Sequence, residues 1–469
     1  MERETDVVNR DAFRDSVAIV SKEGKRNWIY PRKPDGPFYR LRGIVSLLLL
    51  AMLFVTPFVR IDGHPFFLLN ILDRKFILFG ILFGPHDFYL LGIALITFIV
   101  FVILFTVVFG RLFCGWVCPQ TVFMEMVFRK IEYWLEGDHR QQQRLNESPW
   151  TGKKIVKKGA KHLIYFTLAF LISNVFLAWV IGSDALLVVV TDPPSQHMAG
   201  LTAMLVFAGV FYWIFAWFRE QACILVCPYG RLQGVLLDRN SIVIAYDHVR
   251  GEPRGKLRRG EERSQGDCVD CDLCVDVCPT GIDIRNGTQL ECVNCTACVD
   301  ACNTVMEKTG RPRGLIRYDS ATGIAEKKRR VWTPRVAGYS VVLVSLVALL
   351  TVLLARRTDV DVTVLRAPGM FYQEQPDGRL SNVYDVKVLN KTFEPVNLSL
   401  SLVGVEGEIQ MIGNPLHPGP QEIVHRKFLV VLNPEVITQM STPVTIAVHS
   451  GEEFLGNVTT SFLGRPSKE

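Results

Sequence analysis

The chain has 469 residues, 49% of them apolar, and a net charge of +6. That apolar share is high for a soluble protein and points to membrane spans, while the length allows roughly two to four domains. The modest charge argues against a broad nucleic-acid surface, and the twelve cysteines fall at metal-ligand rather than disulfide spacings.

Residues 1–42 are charged, with no apolar core close behind the first residues, unlike a cleavable signal peptide. Five uncharged apolar stretches then reach the length that crosses a bilayer: 43–59, 88–110, 163–183, 199–218 and 336–355. Residues 65–84 are apolar too, but Asp73-Arg74-Lys75 interrupts them. A hairpin at the interface or against the helices is expected there. Lys and Arg number ten in 1–42, three in 60–87, ten in 111–162, none in 184–198 and nineteen in 219–335. The positive-inside rule therefore puts 1–42, 111–162 and 219–335 in the cytoplasm and residues 356–469 outside. The basic stretches 250–263 and 326–335 read as juxtamembrane cations, not nucleic-acid patches. The expected plan is a cytoplasmic segment (1–42), helices one and two with the hairpin (43–110), a loop (111–162), helices three and four (163–218), a second cytoplasmic segment (219–335), helix five (336–355) and an outer domain (356–469).

The tail from about 358 alternates apolar and polar residues, as in Val360-Asp361-Val362-Thr363-Val364 and Val396-Asn397-Leu398-Ser399-Leu400. Turn signals recur at Pro376-Asp377-Gly378, Gly413-Asn414-Pro415 and Pro418-Gly419-Pro420. Short strands at this spacing predict an immunoglobulin-like sandwich, an interaction or shielding module without a catalytic signature. His64, His86 and His197, with Met198, fall on the outer side and read as ordinary loop residues.

All twelve cysteines belong to motifs. Eight form a double run, Cys268, Cys271, Cys274, Cys278 and Cys292, Cys295, Cys298, Cys302. This is the spacing of a ferredoxin with two [4Fe–4S] clusters, in which the fourth cysteine of each run serves the other cluster. One cluster is then expected on Cys268, Cys271, Cys274 and Cys302, the other on Cys292, Cys295, Cys298 and Cys278. Pro279 follows Cys278, but Asn303 follows Cys302. The ligand count is unaffected by that departure.

The other four cysteines form two CxxxCP pairs, Cys114/Cys118 and Cys223/Cys227, at the ends of the second and fourth spans. On a helix, residues four apart share one face. Span, cation, CxxxCP and a helix-like run form an internal repeat, so two helices can gather four thiols. Three readings stand: inert packing, a redox disulfide, for which helical i, i+4 geometry is poor, and a soft-metal site. Met124 and Met126 would be auxiliary ligands or simply core.

At these motifs the chain resembles the cytochrome c oxidase accessory proteins of the CcoG (FixG/RdxA) family. The resemblance covers nearly the whole chain, from the basic N-terminus through five spans, two CxxxCP pairs and the double run to the β-domain. The CxxxCP pair is shared with polyferredoxins of the NapH and NosR type; the order of parts is the specific feature. The resemblance implies a membrane copper reductase, converting Cu(II) to Cu(I) during assembly of a cbb-type oxidase. Cys114, Cys118, Cys223 and Cys227 would handle copper, and the eight run cysteines would hold two [4Fe–4S] clusters. Partners would be oxidase subunits or copper-delivery proteins and an unidentified electron donor. The alternatives are a quinol-linked carrier feeding a partner reductase, as NapH-like proteins are, and a non-catalytic assembly scaffold.

Overall fold

The computed structural model describes residues 19–466, except 21–22, 24, 72–73, 257–265 and 370. Part of the basic stretch 250–263 thus lies outside the described residues. Five described helices are long and apolar enough to cross a membrane: α1 (Pro37–Val55), α2 (Phe88–Phe109), α3 (Gly152–Ile181), α4 (Met198–Trp213) and α5 (Pro334–Ala355). Most of their surface is apolar and uncovered by protein, as lipid-facing helices require. α3 begins at Gly152 rather than near 163, because its first turns are helical yet carry five lysines. Those turns extend the helix beyond its apolar span.

The chain divides into two compact units, residues 1–73 with 91–349 and residues 74–90 with 350–469. In the first, α3 packs along α4, and Trp179 on α3 donates its indole N–H to the Leu53 carbonyl of α1 at 3.0 Å. Phe123 and Phe128 pack with Tyr165 and Ile172 of α3 and with Phe215 just beyond α4. Phe128 stacks on Phe215 with ring centroids 4.8 Å apart. This core clamps the chain that follows the first CxxxCP pair between two spanning helices.

A small α+β domain fills the rest of this unit. Strands Val243–Tyr246 and Ile316–Asp319 pair antiparallel, and the double cysteine run lies between them with helices Leu273–Asp276 and Ala297–Lys308. The domain is fastened to α1 by an unusual cap. Gly36 offers no side chain, and the carboxylate of Asp300 accepts the N–H groups of Phe38 and Tyr39 at 3.3 and 2.8 Å. An anion at a helix N-terminus satisfies orphan donors and the helix dipole together. Asn303, standing where proline is expected, lets the Ala297–Lys308 helix continue past Cys302, and its side chain accepts the Gly314 N–H at 2.9 Å.

In the second unit, β1 (Lys75–Leu78) and β2 (Ile81–Phe83) form a hairpin shorter than the one expected over 65–84, turning at residues 79–80 and grouped with the β-domain rather than with the helices. That domain contains β3 (Val360–Arg366), β4 (Leu380–Asn390), β5 (Leu398–Val403), β6 (Gly407–Ile412), β7 (Ile423–Leu432), β8 (Ser441–Ser450) and β9 (Glu453–Leu463). One sheet runs β6-β7-β4-β3 and the other β5-β8-β9. Alternating residues of both, including Tyr384, Val386, Val388, Phe428, Val430, Val444, Ile446 and Phe462, fill the core between them. The Tyr384 hydroxyl donates to the Ser461 carbonyl at 2.9 Å and joins one sheet to the other. Asp87, 1% exposed, accepts from Arg357 at 3.1 Å and Lys391 at 3.2 Å, tying the hairpin segment to the sandwich.

Candidate metal and electron-transfer site

The double run folds into two cysteine-lined cavities. Cys268, Cys271, Cys274 and Cys302 line one with Tyr246, Met306 and Ile316. Cys278, Cys292, Cys295 and Cys298 line the other with Ile282, Ile284 and Val293, and Cys274 lies on the wall of both. Apart from shared Cys274, each set takes three cysteines from one run and the fourth from the other.

The backbone repeats as the sequence does. In the first run Asp270 and Asp272 flank Cys271 with φ of 50° and 58°; in the second Asn294 and Thr296 flank Cys295 with 54° and 66°. Asp and Asn tolerate the left-handed region, but a β-branched threonine there is a real outlier. Alternation of right- and left-handed residues turns successive N–H groups inward and makes a concavity for anions, a feature of many iron–sulfur sites. The surrounding charges fit too. Arg42 of α1 is 2% exposed, donates to the Cys295 carbonyl at 3.4 Å, and its Nη2 has no protein partner. Arg111, 5% exposed, has a partnerless Nε. Both guanidiniums act electrostatically on the second cavity's thiols. An anionic thiolate cluster would meet these orphaned donors. Burial pushes the thiols of Cys274, Cys292 and Cys302 up to about 12, so ligation must displace their protons.

The CxxxCP pairs depart from expectation. Neither is a continuous helix with both sulfurs on one face. Cys114 lies in the short helix Leu112–Trp116, whereas Cys118 is extended, with ψ 124°, and stands before the next helical segment. Cys223 lies in the π-helical stretch Ala222–Val226, and Cys227, with ψ 113°, precedes helix Pro228–Leu236. The cause is the proline after each second cysteine. It disfavours the α conformation one residue before it and starts the next helix at N1. Each second thiol therefore sits at a helix N-cap, and Cys227 Sγ accepts the Gly230 N–H at 3.4 Å.

The pairs do come together. Cys114 lies in electrostatic range of Cys118 and Cys227, and Cys223 in range of the other three. Burial pushes Cys114 up to about 11, opposed by a hydrogen bond from Gln233 and by Arg111. Burial, then the neighbouring thiols, pushes Cys223 up to about 12. Among the described residues no three His, Cys, Asp or Glu side chains close on a point as tightly as a bound single ion demands. The four thiols are gathered but do not form a closed ligand cage.

Several residues of this site carried no motif. Gly115 presses against the cluster loop: a Cβ there would lie 2.5 Å from the Val293 carbonyl oxygen and 2.6 Å from that of Asn294. Cys114 itself packs with Val277, Val293 and Cys295. A Cβ on Gly230 would meet the Cys223 carbonyl at 2.6 Å. Gln233, fully buried, donates to Cys114 Sγ at 3.3 Å. Arg111 bonds the carbonyls of Leu290 and Gly230, bridging the cluster loop and the second CxxxCP helix. Its place as the flanking cation of the first pair was the only signal in the sequence. Gln120 donates to the Arg219 carbonyl at 3.4 Å, joining the two repeats. Arg219 in turn grips Glu132 with two bonds, of 3.1 and 2.8 Å.

Met124 and Met126 are buried, Met124 among Phe123, Phe128 and Tyr165, which favours core over ligand. His197 pairs with Asp192 at 3.0 Å. Neither it, His64 nor His86 belongs to a metal-holding group among the described residues.

Comparison with known proteins agrees with this architecture. A 4Fe-4S dicluster domain family matches residues 218–321, a 4Fe-4S binding domain family residues 91–138, and the IG-like fold at the C-terminus of FixG residues 350–465. Protein RdxB of Cereibacter sphaeroides is 36% identical over 81% of this chain and 82% of its own length. Protein RdxA of the same organism is 34% identical over 81% and 83%, and the nitrogen fixation protein FixG of Rhizobium meliloti 31% over 90% and 87%. A FixG-related protein from Vibrio parahaemolyticus of known structure aligns over 23% of this chain and 97% of its own at 19% identity, with a TM-score of 0.20. With spanning helices, paired cysteine cavities and a terminal sandwich in the family's order, the chain is an iron–sulfur, multi-pass membrane protein of the FixG/RdxA family.

Proposed function

We propose that the protein reduces Cu(II) to Cu(I) at the four CxxxCP thiols during assembly of a cbb-type cytochrome c oxidase. The observation that carries this reading is the seating of Cys114 and Gly115 directly on the loop that lines the second cysteine cavity. A metal held by these thiols would lie beside the electron relay. [4Fe–4S] clusters, when bound, supply one-electron transfer and need no acid–base residue. Cys268, Cys271, Cys274 and Cys302 would hold one, and Cys278, Cys292, Cys295 and Cys298 the other. Cys271 is exposed, so electrons enter at the first cavity from the unidentified donor.

Copper is the substrate. Each ion takes one electron, and the only protein bonds that break are the S–H bonds of the thiols that ligate it. Thiolates favour Cu(I) over Cu(II), so ligation itself assists reduction. Cys114 and Cys223 must shed protons when they bind, which couples copper loading to proton release. The Lys and Arg distribution supports a cytoplasmic site, with the sandwich in the periplasm, where oxidase subunits or copper-delivery proteins are its partners.

The test is anaerobic Cu(II) reduction by the purified protein, read with a Cu(I) chelator. Cys227→Ser should abolish most copper binding and reduction while iron content and the visible iron–sulfur spectrum persist. Full copper reduction by the variant would refute the site. Loss of iron together with copper would make the CxxxCP thiols iron–sulfur ligands instead.

A further inference from the structure

A pocket away from the cysteines opens between the Lys-rich start of α3 and the end of α4. Its floor is charged. Glu132 is held by Arg219, and one oxygen of Glu136 faces both Lys158 and Lys161 at 2.9 Å. Lys154 reaches the carbonyls of Asn146 and Ser148 at 2.9 and 2.5 Å. Four cations therefore line the pocket against two carboxylates. The floor is enclosed: Glu132, Lys154, Lys161 and Arg219 are each less than a tenth exposed. Such a surplus of positive charge in a sheltered site is costly unless an anion meets it.

The rim is aromatic. Trp150 is largely exposed and Trp213 and Trp217 about half exposed, and the last two stack with ring centroids 5.4 Å apart. Tryptophans gather at the membrane–water boundary, where one side of the ring is apolar and the other wet. The pocket lies where two spanning helices leave the bilayer, and basic pockets between spanning helices suit acidic headgroups. An inorganic anion would leave the aromatic rim without a role; an amphiphile uses floor and rim together.

We propose that this pocket binds the phosphate headgroup of an acidic glycerophospholipid, with its acyl chains along Trp213 and Trp217. The phosphate oxygens accept from Lys158 and Lys161, relieving their competition for Glu136. This site does not depend on the copper reading, since neither its ligand nor its test involves the thiols.

The test uses the full-length protein, delipidated in mild detergent, with phosphatidylglycerol, phosphatidylcholine or inorganic phosphate added back. Native mass spectrometry and thermal unfolding report binding. Phosphatidylglycerol should be retained at least ten-fold more tightly than phosphatidylcholine and should raise Tm, whereas millimolar phosphate should do neither. Lys158→Gln, which leaves Lys161 on Glu136, should weaken retention about five-fold. Lys153→Gln, on the same helix but outside the lining, should change it less than two-fold. Equal retention of the two lipids, equal loss in both variants, or stabilisation by phosphate alone would each overturn the proposal. The wild-type lipid comparison decides the matter even if Lys158→Gln fails to fold.

Discussion

Glu132 holds the inner end of the second CxxxCP repeat, and neutralising it should be among the most damaging single changes in the first unit. It is 4% exposed and accepts two bonds from Arg219, with Lys161 3.7 Å away. Burial alone would raise its carboxyl, but Arg219, then Lys161 and Arg129, outweigh burial and hold it at about 2, against 4.5 for the free group. At ~1.4 kcal/mol per pH unit the ion contributes about 3 kcal/mol. Breaking a buried pair from one side costs up to ~3–5 kcal/mol, because Arg219 loses its two-bond partner and keeps only Glu220, 3.8 Å away. Glu132→Gln should therefore lower Tm by roughly 5–10 °C at pH 7, measured at one scan rate on detergent-solubilised protein. The sign with pH follows from the depressed carboxyl. Its stabilisation is complete above the unfolded value of 4.5 and is lost as pH falls through about 2. The gap between wild type and variant should narrow below pH 4.5. A loss under about 1 kcal/mol at pH 7, or a gap that does not shrink in acid, would refute this account of the Glu132–Arg219 pair.

Gly115→Ala tests the contact between the first CxxxCP pair and the cluster loop. A methyl 2.5 Å from the Val293 oxygen forces the two segments apart. Stability should fall by ~1–3 kcal/mol, with iron retained and copper reduction slowed, as stopped-flow would show. Unchanged reduction would mean that this seam does not carry the electron. Asp87→Asn should cost ~3–5 kcal/mol, because Arg357 and Lys391 lose a shared buried partner. Limited proteolysis of the full chain should then cut the hairpin segment sooner.

The elements that declared themselves in the sequence are those set by local pattern. Apolar length fixes the spans, period-two alternation the sandwich, and cysteine spacing the two cavities, since each depends on residues close along the chain. The CxxxCP geometry departs from the helical pattern for an equally local reason. The i, i+4 rule describes a continuous helix, whereas Pro119 and Pro228 act on the residue before them and turn Cys118 and Cys227 into N-caps. What remained hidden depends on contacts far apart in sequence. Gly115 is one of 36 glycines and gains meaning only from Val293 and Asn294 lying above it. Asp300 is one more acid inside the cysteine run until it caps α1. No periodicity encodes such pairings.

The charges around the two cavities also give the relay a direction. At the first, Arg285 is surrounded by Asp270, Asp272 and Asp283 at 2.8, 2.6 and 2.7 Å, so its charge is matched within the protein. At the second, Arg42 and Arg111 face the thiols with donors to spare. Positive surroundings stabilise the reduced, more negative form, so a cluster held at the second cavity would have the higher potential. On the proposed route, electrons entering beside exposed Cys271 would then run downhill toward the CxxxCP thiols. Arg111→Gln should lower the potential at the second cavity and leave the first unchanged, read by EPR-monitored redox titration. Arg111→Lys, which keeps the charge but not the fork across Leu290 and Gly230, should restore most of that potential. Were both variants to shift it equally, Arg111 would act through the hydrogen bonds that shape the loop and not through its charge.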